Sequence, residues 1–213
     1  MKKVWALTRA DWLNLWRTSK IFFGMILLYE VVYILAGEEW MFLSILSVAL
    51  GGMLSYSAIG YDERSGWNRF VLTTAYSRKD YVLGKYLVAV TGTLGGALLM
   101  AATGGVAAMT GRVPLDEGMA PLSGMMACGV LIALSIVLPL AFRFGMEKAR
   151  LMNILVIAIL CGGAGVMAGL GGDLIGNIPQ VMTVLNLALP AVTAAVLAGS
   201  CFLSVRIYRR RQF

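Results

Sequence analysis

The stretch YDERSGWNRFVLTTAYSRKDYVLGKY, from Tyr61 to Tyr86, is the densest mixed-charge segment in a chain of 213 residues that is otherwise mostly apolar. Eight of its residues carry a formal charge, and both signs are present. Two large aromatic side chains, Trp67 and Phe70, lie inside it. Long apolar runs flank it on both sides, so this stretch connects two apolar segments.

The overall composition explains what those apolar segments are. Hydrophobic residues make up 59% of the chain and charged residues 14%, and the mean hydropathy is +0.80. Soluble domains are about 45–50% apolar and about 25% charged, so the composition is that of an integral membrane protein. The apolar runs take up nearly all of residues 1–213 and leave no room for a separate soluble core. We therefore expect a single all-α transmembrane domain.

The apolar runs predict six transmembrane helices, because about 20 apolar residues are needed to cross roughly 30 Å of hydrocarbon. The predicted spans are Ile21–Ala36, Trp40–Gly60, Tyr86–Met109, Leu122–Phe142, Leu151–Leu170 and Met182–Arg206. The first span is short and contains Glu30, a carboxylate that is expensive to place in a bilayer. Either Glu30 faces the interior of the bundle, or the span is shifted and places it near the outer interface.

The distribution of basic residues predicts the orientation of these spans. Seventeen of the 18 Lys and Arg residues fall in the segments that share one side of the membrane, and only Arg112 falls on the other. Basic loops remain cytoplasmic, so both termini and the loop 61–81 are predicted to be cytoplasmic. The net charge of +7 also favours contact with anionic membrane lipid. No basic patch interleaved with stacking aromatics is long enough for a nucleic-acid platform, so we expect no nucleic acid partner.

Residues 1–20 have the pattern of an amphipathic helix. Trp5, Trp12 and Trp16 fall within about 40° of one another at 100° per residue. Tryptophan is typical of helices that lie in the membrane interface. We favour an interfacial helix that turns sharply into the first span. A cytoplasmic extension of that span is the alternative.

The usual chemistry of enzymes is missing from the sequence. The chain has no histidine, which excludes Ser-His-Asp and Cys-His nucleophile systems and His-based metal sites. Neither a phosphate-binding G-x-x-x-x-G-K-[ST] motif nor a G-x-S-x-G elbow occurs. Its three cysteines lie alone in separate apolar runs. We expect neither an enzyme nor a metal site.

A few polar or irregular features remain within the spans. Glu30 and Asn186 are the candidate polar residues of a pathway inside the membrane. Pro139 and Pro190 can bend their helices. The glycine-rich run Gly162–Gly176 either allows close helix packing or breaks the fifth span.

The charged stretch resembles the first cytoplasmic loop of small ABC exporter permeases of the ABC-2 type. The matching positions are Glu63, Gly66, Trp67, Ser77, Arg78, Gly84, Lys85 and Tyr86. Residues 74–77 depart from the pattern, because Thr-Ala-Tyr-Ser stands where the family usually has Leu-Pro-Val-Ser. FGMEKAR at residues 144–150 is similar to the second cytoplasmic loop of the family. With the six spans and the amphipathic start, the resemblance covers essentially the whole chain.

The resemblance implies a permease subunit in a bacterial plasma membrane, paired with a second permease chain as a homo- or heterodimer. It also implies a coupling helix that docks on a separate ABC ATPase subunit, which would carry the ATP and Mg, with no cofactor on this chain. The residues expected to form that contact are Asp62, Glu63, Arg64, Trp67, Arg69, Phe70, Tyr76, Ser77 and Arg78. Aromatic and Arg side chains dominate interface energetics, and charges of both signs set register.

The sequence constrains the substrate less than it constrains the fold or the partners. The chain resembles small permeases that export phenol-soluble-modulin-type and antimicrobial peptides, which implies export of an amphipathic peptide or another hydrophobic compound. Two other classes stay open: an ion-coupled secondary transporter that uses Glu30, and a membrane scaffold that recruits a cytoplasmic partner through the same loop.

Overall fold

The computed structural model describes residues 2–37, 41–74, 76–111, 119–146, 148–149, 151–152, 154–155, 158 and 178–210, without the side chains of residues 72, 119–121, 178–187 and 210. The helices, in chain order, are α1 (Lys2–Thr18), α2 (Lys20–Ala36), α3 (Met41–Ser65), α4 (Trp67–Phe70), α5 (Arg78–Met109), α6 (Met119–Phe144) and α7 (Ile178–Arg210). A 3-10 turn, Val71–Thr73, follows α4. No strand occurs in these ranges, so the predicted all-helical class is confirmed there.

The chain bends by 78° between α1 and α2. The break falls at Ser19, which is buried and is the only residue between the two helices. The sharp turn expected before the first span is therefore present. α1 packs mainly against α5 through a face that carries Leu7, Asp11 and Leu15 at helical spacing.

The most extensive helix pair is α3 with α5, and glycines allow its close approach. A Cβ added to Gly51 would collide with the carbonyl of Gly92, and one added to Gly92 would collide with the carbonyl of Gly51. A Cβ on Gly96 would lie 2.9 Å from the carbonyl oxygen of Ser47. We expected such packing in the run Gly162–Gly176, which lies outside the described residues.

The helices α6 and α7 pack against each other and against α5. Their contact includes a chain of hydroxyls: Tyr86 Oη lies 2.6 Å from Ser200 Oγ and 2.8 Å from Ser204 Oγ. Ser200 Oγ in turn donates to the backbone carbonyl of Ser135, at 2.5 Å. Pro139 and Pro190 both lie inside their helices.

The described helices agree with part of the predicted span count. Four are long and apolar enough to cross a membrane, and the bent pair of α1 and α2 raises the number to five if it is one span. These four correspond to the second, third, fourth and sixth predicted spans. Most of the fifth, Leu151–Leu170, lies outside the described residues, so the count of six stays a prediction, as does the orientation of the termini.

Candidate functional site

The charged stretch is not a loop over its whole length, in contrast to the expectation for residues 61–81. Helix α3 continues to Ser65, and Gly66 ends it with a φ of +71°, a left-handed conformation that glycine adopts without strain. α5 begins at Arg78. The connection between the two long helices is therefore residues 66–77, and its helical part is the single turn α4 followed by the 3-10 turn.

The connection carries an exposed aromatic pair. Trp67 is 38% exposed and Phe70 is 57% exposed, and their ring centroids are 5.4 Å apart. Arg69, between them in sequence, is also exposed. Asn68 and Val71 are buried and hold the turn against the bundle. The predicted anchors Trp67, Arg69 and Phe70 are thus brought together on one accessible turn.

Three helices form a buried charge cluster from residues that lie near this connection in sequence and from α1. Lys85 Nζ of α5 is 2.8 Å from Asp11 Oδ1 of α1 and 2.7 Å from Asp62 Oδ2 of α3. The Tyr81 hydroxyl donates to Asp62 Oδ2 at 2.9 Å. A buried ammonium is stable only when it is paired and hydrogen-bonded. The cluster therefore fixes the relative position of α1, α3 and α5.

Asp62 consequently does not belong to the exposed contact in which the resemblance placed it. Its side chain is 2% accessible, and its carboxylate is occupied by Lys85 and Tyr81. The physical reason is that α3 continues through this position and turns Asp62 toward α5. Asp62 instead ties the end of α3 to α5.

Three other predicted contact residues also form contacts within the chain. Glu63 accepts a hydrogen bond from the backbone N–H of Met146 at 2.8 Å. Tyr76 is half-buried against the hydrophobic core. Ser77 is the N-cap of α5 and forms a capping box with Asp80.

Arg78 and Arg64 have different surroundings. Arg78 Nη1 donates to the backbone carbonyls of Tyr208, at 3.3 Å, and Arg209, at 2.6 Å. This arrangement suits the end of α7, because its last carbonyls have no partner within the helix. The side chain of Arg64 is exposed at the end of α3.

Sequence reasoning missed the partnership of Asp11 with Lys85. The sequence does contain a signal for each residue. Lys85 interrupts an apolar helix, and Asp11 lies midway between Leu7 and Leu15 at intervals of four, so it shares their buried face. What the sequence does not show is that these two positions meet, because 74 residues separate them.

Glu30 lies in the interior of the described bundle. The residue is 2% exposed, and its Oε2 accepts hydrogen bonds from Ser44 Oγ at 2.8 Å and Thr103 Oγ1 at 2.6 Å. It is thus held between α2, α3 and α5. The other predicted polar position, Asn186, has its side chain outside the described residues.

The three N-terminal tryptophans do not share one environment. Trp5 and Trp16 are largely exposed, whereas Trp12 is half-buried and its Nε1 donates to Thr91 Oγ1 at 3.1 Å. Trp12 therefore attaches α1 to α5. Trp5 and Trp16 remain available to the surroundings of α1.

Long apolar helices, with buried charged side chains held by ion pairs or hydrogen bonds, are those of a multi-pass membrane protein. The family model described as ABC-2 family transporter protein matches residues 6–209, nearly the whole chain. The chain belongs to this family. It is therefore a membrane-embedded transport subunit, a permease of an ABC transporter that works with an ABC ATPase subunit. No curated protein matches the chain.

Proposed function

We propose that this permease belongs to an ATP-driven exporter and that α4 is its contact with the ATPase subunit. The observation that carries the proposal is the exposed pair of Trp67 and Phe70 on a single helical turn. Isolated exposed aromatics are common, but two in ring contact, with an arginine between them in sequence, form the kind of anchor that fills a pocket on a partner. The ATPase would bind the ATP and Mg on the cytoplasmic side.

The attachment of α4 to the bundle supports this proposal. A contact that transmits force must be stiff, and α4 is fixed by the burial of Asn68 and Val71. Immediately before it, α3 is tied to α5 and α1 by the ion pairs of Asp62 with Lys85 and of Lys85 with Asp11. Movement of α4 by a partner would thus be passed directly to the spanning helices.

We further propose that the transported compound is an amphipathic peptide or another hydrophobic molecule. An apolar groove of about 520 Å³ lies between α5, α6 and α7, with Leu98, Met125, Leu131 and Leu197 among its lining residues. Substrates that partition into the bilayer suit such a lining, because apolar contact rather than fixed charge would hold them.

A second permease chain is part of the proposed assembly. Helix α7 leaves large apolar side chains exposed along the part whose side chains are described, including Val192, Phe202 and Leu203. Such a face requires either lipid or protein, and a second permease chain, identical or different, would pair the two coupling turns with two ATPase subunits. Lipid would cover the remainder.

The test is co-purification of the permease with its candidate ATPase subunit in detergent. In the double variant Trp67→Ala/Phe70→Ala we expect at least about tenfold weaker association and loss of permease-stimulated ATP hydrolysis, since truncation of an aromatic anchor costs about 2 kcal/mol or more. The matched control is Trp5→Ala, another exposed tryptophan, on α1, which should leave both measurements unchanged. Unaltered association of the double variant would contradict the docking role.

Transport into vesicles then separates the proposed exporter from the other classes. Uptake of a labelled amphipathic peptide into inverted vesicles that needs ATP supports export. The buried Glu30 carboxylate is the feature that favours an ion-coupled transporter, for which an ion gradient without ATP would suffice. A scaffold would show neither, and the mass of the purified complex would give the number of permease chains.

A further inference from the structure

A cavity with several polar groups in its lining lies where the end of α1 meets the end of α3. Its volume is about 170 Å³, and it opens to the surroundings. Most of its lining surface is apolar, and its polar groups come from Asp11, Asn14, Thr18, Ser19, Ser57, Tyr61 and Arg64. Of the residues expected to contact the ATPase, Arg64 alone lines this cavity. A concave site in which a few polar groups converge is the usual form of a ligand site.

The charges of the cavity have opposite signs on its two walls. On the α1 wall, Asp11 belongs to a cluster in which two carboxylates share one ammonium, so the cluster has an excess of negative charge. Asp11 is also its most accessible member, because its side chain is 11% accessible, against 2% for Asp62 and 1% for Lys85. The cluster therefore presents its excess charge to the cavity through Asp11.

On the α3 wall, Arg64 supplies a positive charge. Within the part of the chain that the structure describes, no ion pair involves this guanidinium. A guanidinium has a planar set of N–H donors that matches the oxygens of a phosphate. The cavity thus offers an anion-binding group and a cation-binding group to the same ligand.

The surroundings of the cavity are those of a membrane interface. It lies at the 78° elbow between α1 and α2. Trp16 and Ile21, on either side of the elbow, are among the most exposed apolar side chains, and Trp16 contacts Phe23 with ring centroids 5.0 Å apart. Tryptophan at such a position is typical of the headgroup level, with apolar side chains directed toward the acyl region.

We propose that this cavity binds the headgroup of an aminophospholipid. The primary ammonium of the lipid pairs with Asp11, and the phosphate pairs with Arg64. The acyl chains extend along the apolar side chains of the elbow. The lipid thereby neutralises the excess charge of the buried cluster and fills the gap between α1 and α3.

The size of the cavity agrees with this ligand. At about 30 Å³ for each water, a volume of about 170 Å³ corresponds to roughly six waters, so the cavity holds most of the about eight non-hydrogen atoms of a phosphoethanolamine group, and its open side accommodates the remainder. The amide and hydroxyls of Asn14, Thr18, Ser19 and Ser57 supply further hydrogen-bonding groups around it.

Native mass spectrometry of the full chain tests the proposal. Delipidated protein is titrated with phosphatidylethanolamine, phosphatidylglycerol or phosphatidylcholine of matched acyl chains. We expect at least about fivefold tighter binding of phosphatidylethanolamine, since only this lipid combines a primary ammonium with a phosphate. Equal binding of phosphatidylglycerol or phosphatidylcholine would overturn recognition of the amine. Equally tight binding of free phosphoethanolamine would overturn the assignment to a lipid.

Variants then locate the bound lipid. Arg64→Gln should weaken phosphatidylethanolamine binding about tenfold, and Asn14→Leu, which fills the cavity without touching the ion pairs, should do the same. Arg69→Gln, an exposed arginine outside the cavity, is the matched control and should bind as the unchanged protein does. If Arg64→Gln and Asn14→Leu both retain full binding, the cavity holds only water and the proposal is wrong.

Discussion

Two parts of one short stretch of sequence both reverse the usual relation between the polarity of a residue and its burial. Asp62 and Lys85 are charged residues that the fold buries, each with its charge paired at less than 3 Å. Trp67 and Phe70 are aromatic residues, the type that normally fills a core, and the fold exposes them. The polarity of a residue therefore does not predict its environment in this stretch.

The difference follows from what each part must do. The cluster of Asp11, Lys85 and Asp62 joins three helices at one point, and a buried ion pair tolerates little change in geometry. Of the four residues of the α4 turn, Asn68 is buried and the other three present their side chains outward. The buried cluster and the exposed α4 residues are therefore suited to different roles. Stability should depend on the cluster, and association with a partner should depend on α4.

The largest expected effect on stability comes from Lys85→Met. This change keeps the length of the side chain but leaves two buried carboxylates without their common partner. The loss of one member of a buried ion pair costs about 3–5 kcal/mol, so the apparent melting temperature in detergent should fall steeply or the protein should fail to accumulate. Lys79→Met, which removes an exposed lysine of the same helix, is the matched control.

A triple variant, Lys85→Met/Asp11→Asn/Asp62→Asn, checks the cause. Removal of all three charges eliminates the buried imbalance, so most of the lost stability should return. If the single variant melts at the same temperature as the unchanged protein, the cluster does not hold the helices together. The distinction between the cluster and α4 would then fail.

A smaller loss of stability is expected from Gly92→Ala. The added Cβ would collide with the carbonyl of Gly51 across the α3–α5 contact, and overpacking of a close contact costs about 1–3 kcal/mol. Gly95→Ala lies on the same helix with open space around it. It should leave the melting temperature unchanged or raise it slightly, since alanine favours helix by up to about 1 kcal/mol. Equal melting of the two variants would contradict the close packing.

The helices themselves were predictable from the sequence, but several of their ends were not. Apolar runs long enough to cross a bilayer leave no alternative to a helix, because every backbone polar group must find its partner within the segment. The continuation of α3 past Gly60 was not predictable, since it places Asp62 and Glu63 in a helix where only distant residues satisfy them. The charge of those two residues suggested a loop.

The candidate site was predicted only in part, and the cause of the shortfall is similar. The resemblance pointed to this connection, and Trp67, Arg69 and Phe70 are found together on its surface. It could not distinguish them from Asp62, which occupies the same motif but points inward. That distinction depends on the pairing of α1 and α5 in three dimensions, and a single sequence carries no information on which distant positions meet.

The smallest effect on stability is expected from Trp67→Ala/Phe70→Ala, the variant with the largest expected effect on association. Both side chains are substantially exposed, so their truncation should change the free energy of unfolding by no more than about 0.5 kcal/mol per site, as surface changes away from packed features do. Melting curves of the isolated permease measure this directly. Val71→Ala, which truncates the buried residue next to them, should instead destabilise the protein by roughly 1–2 kcal/mol. A double variant that melts well below the Val71→Ala protein would show that the aromatic pair packs within the chain, and α4 would then be part of the support and not an anchor for a partner.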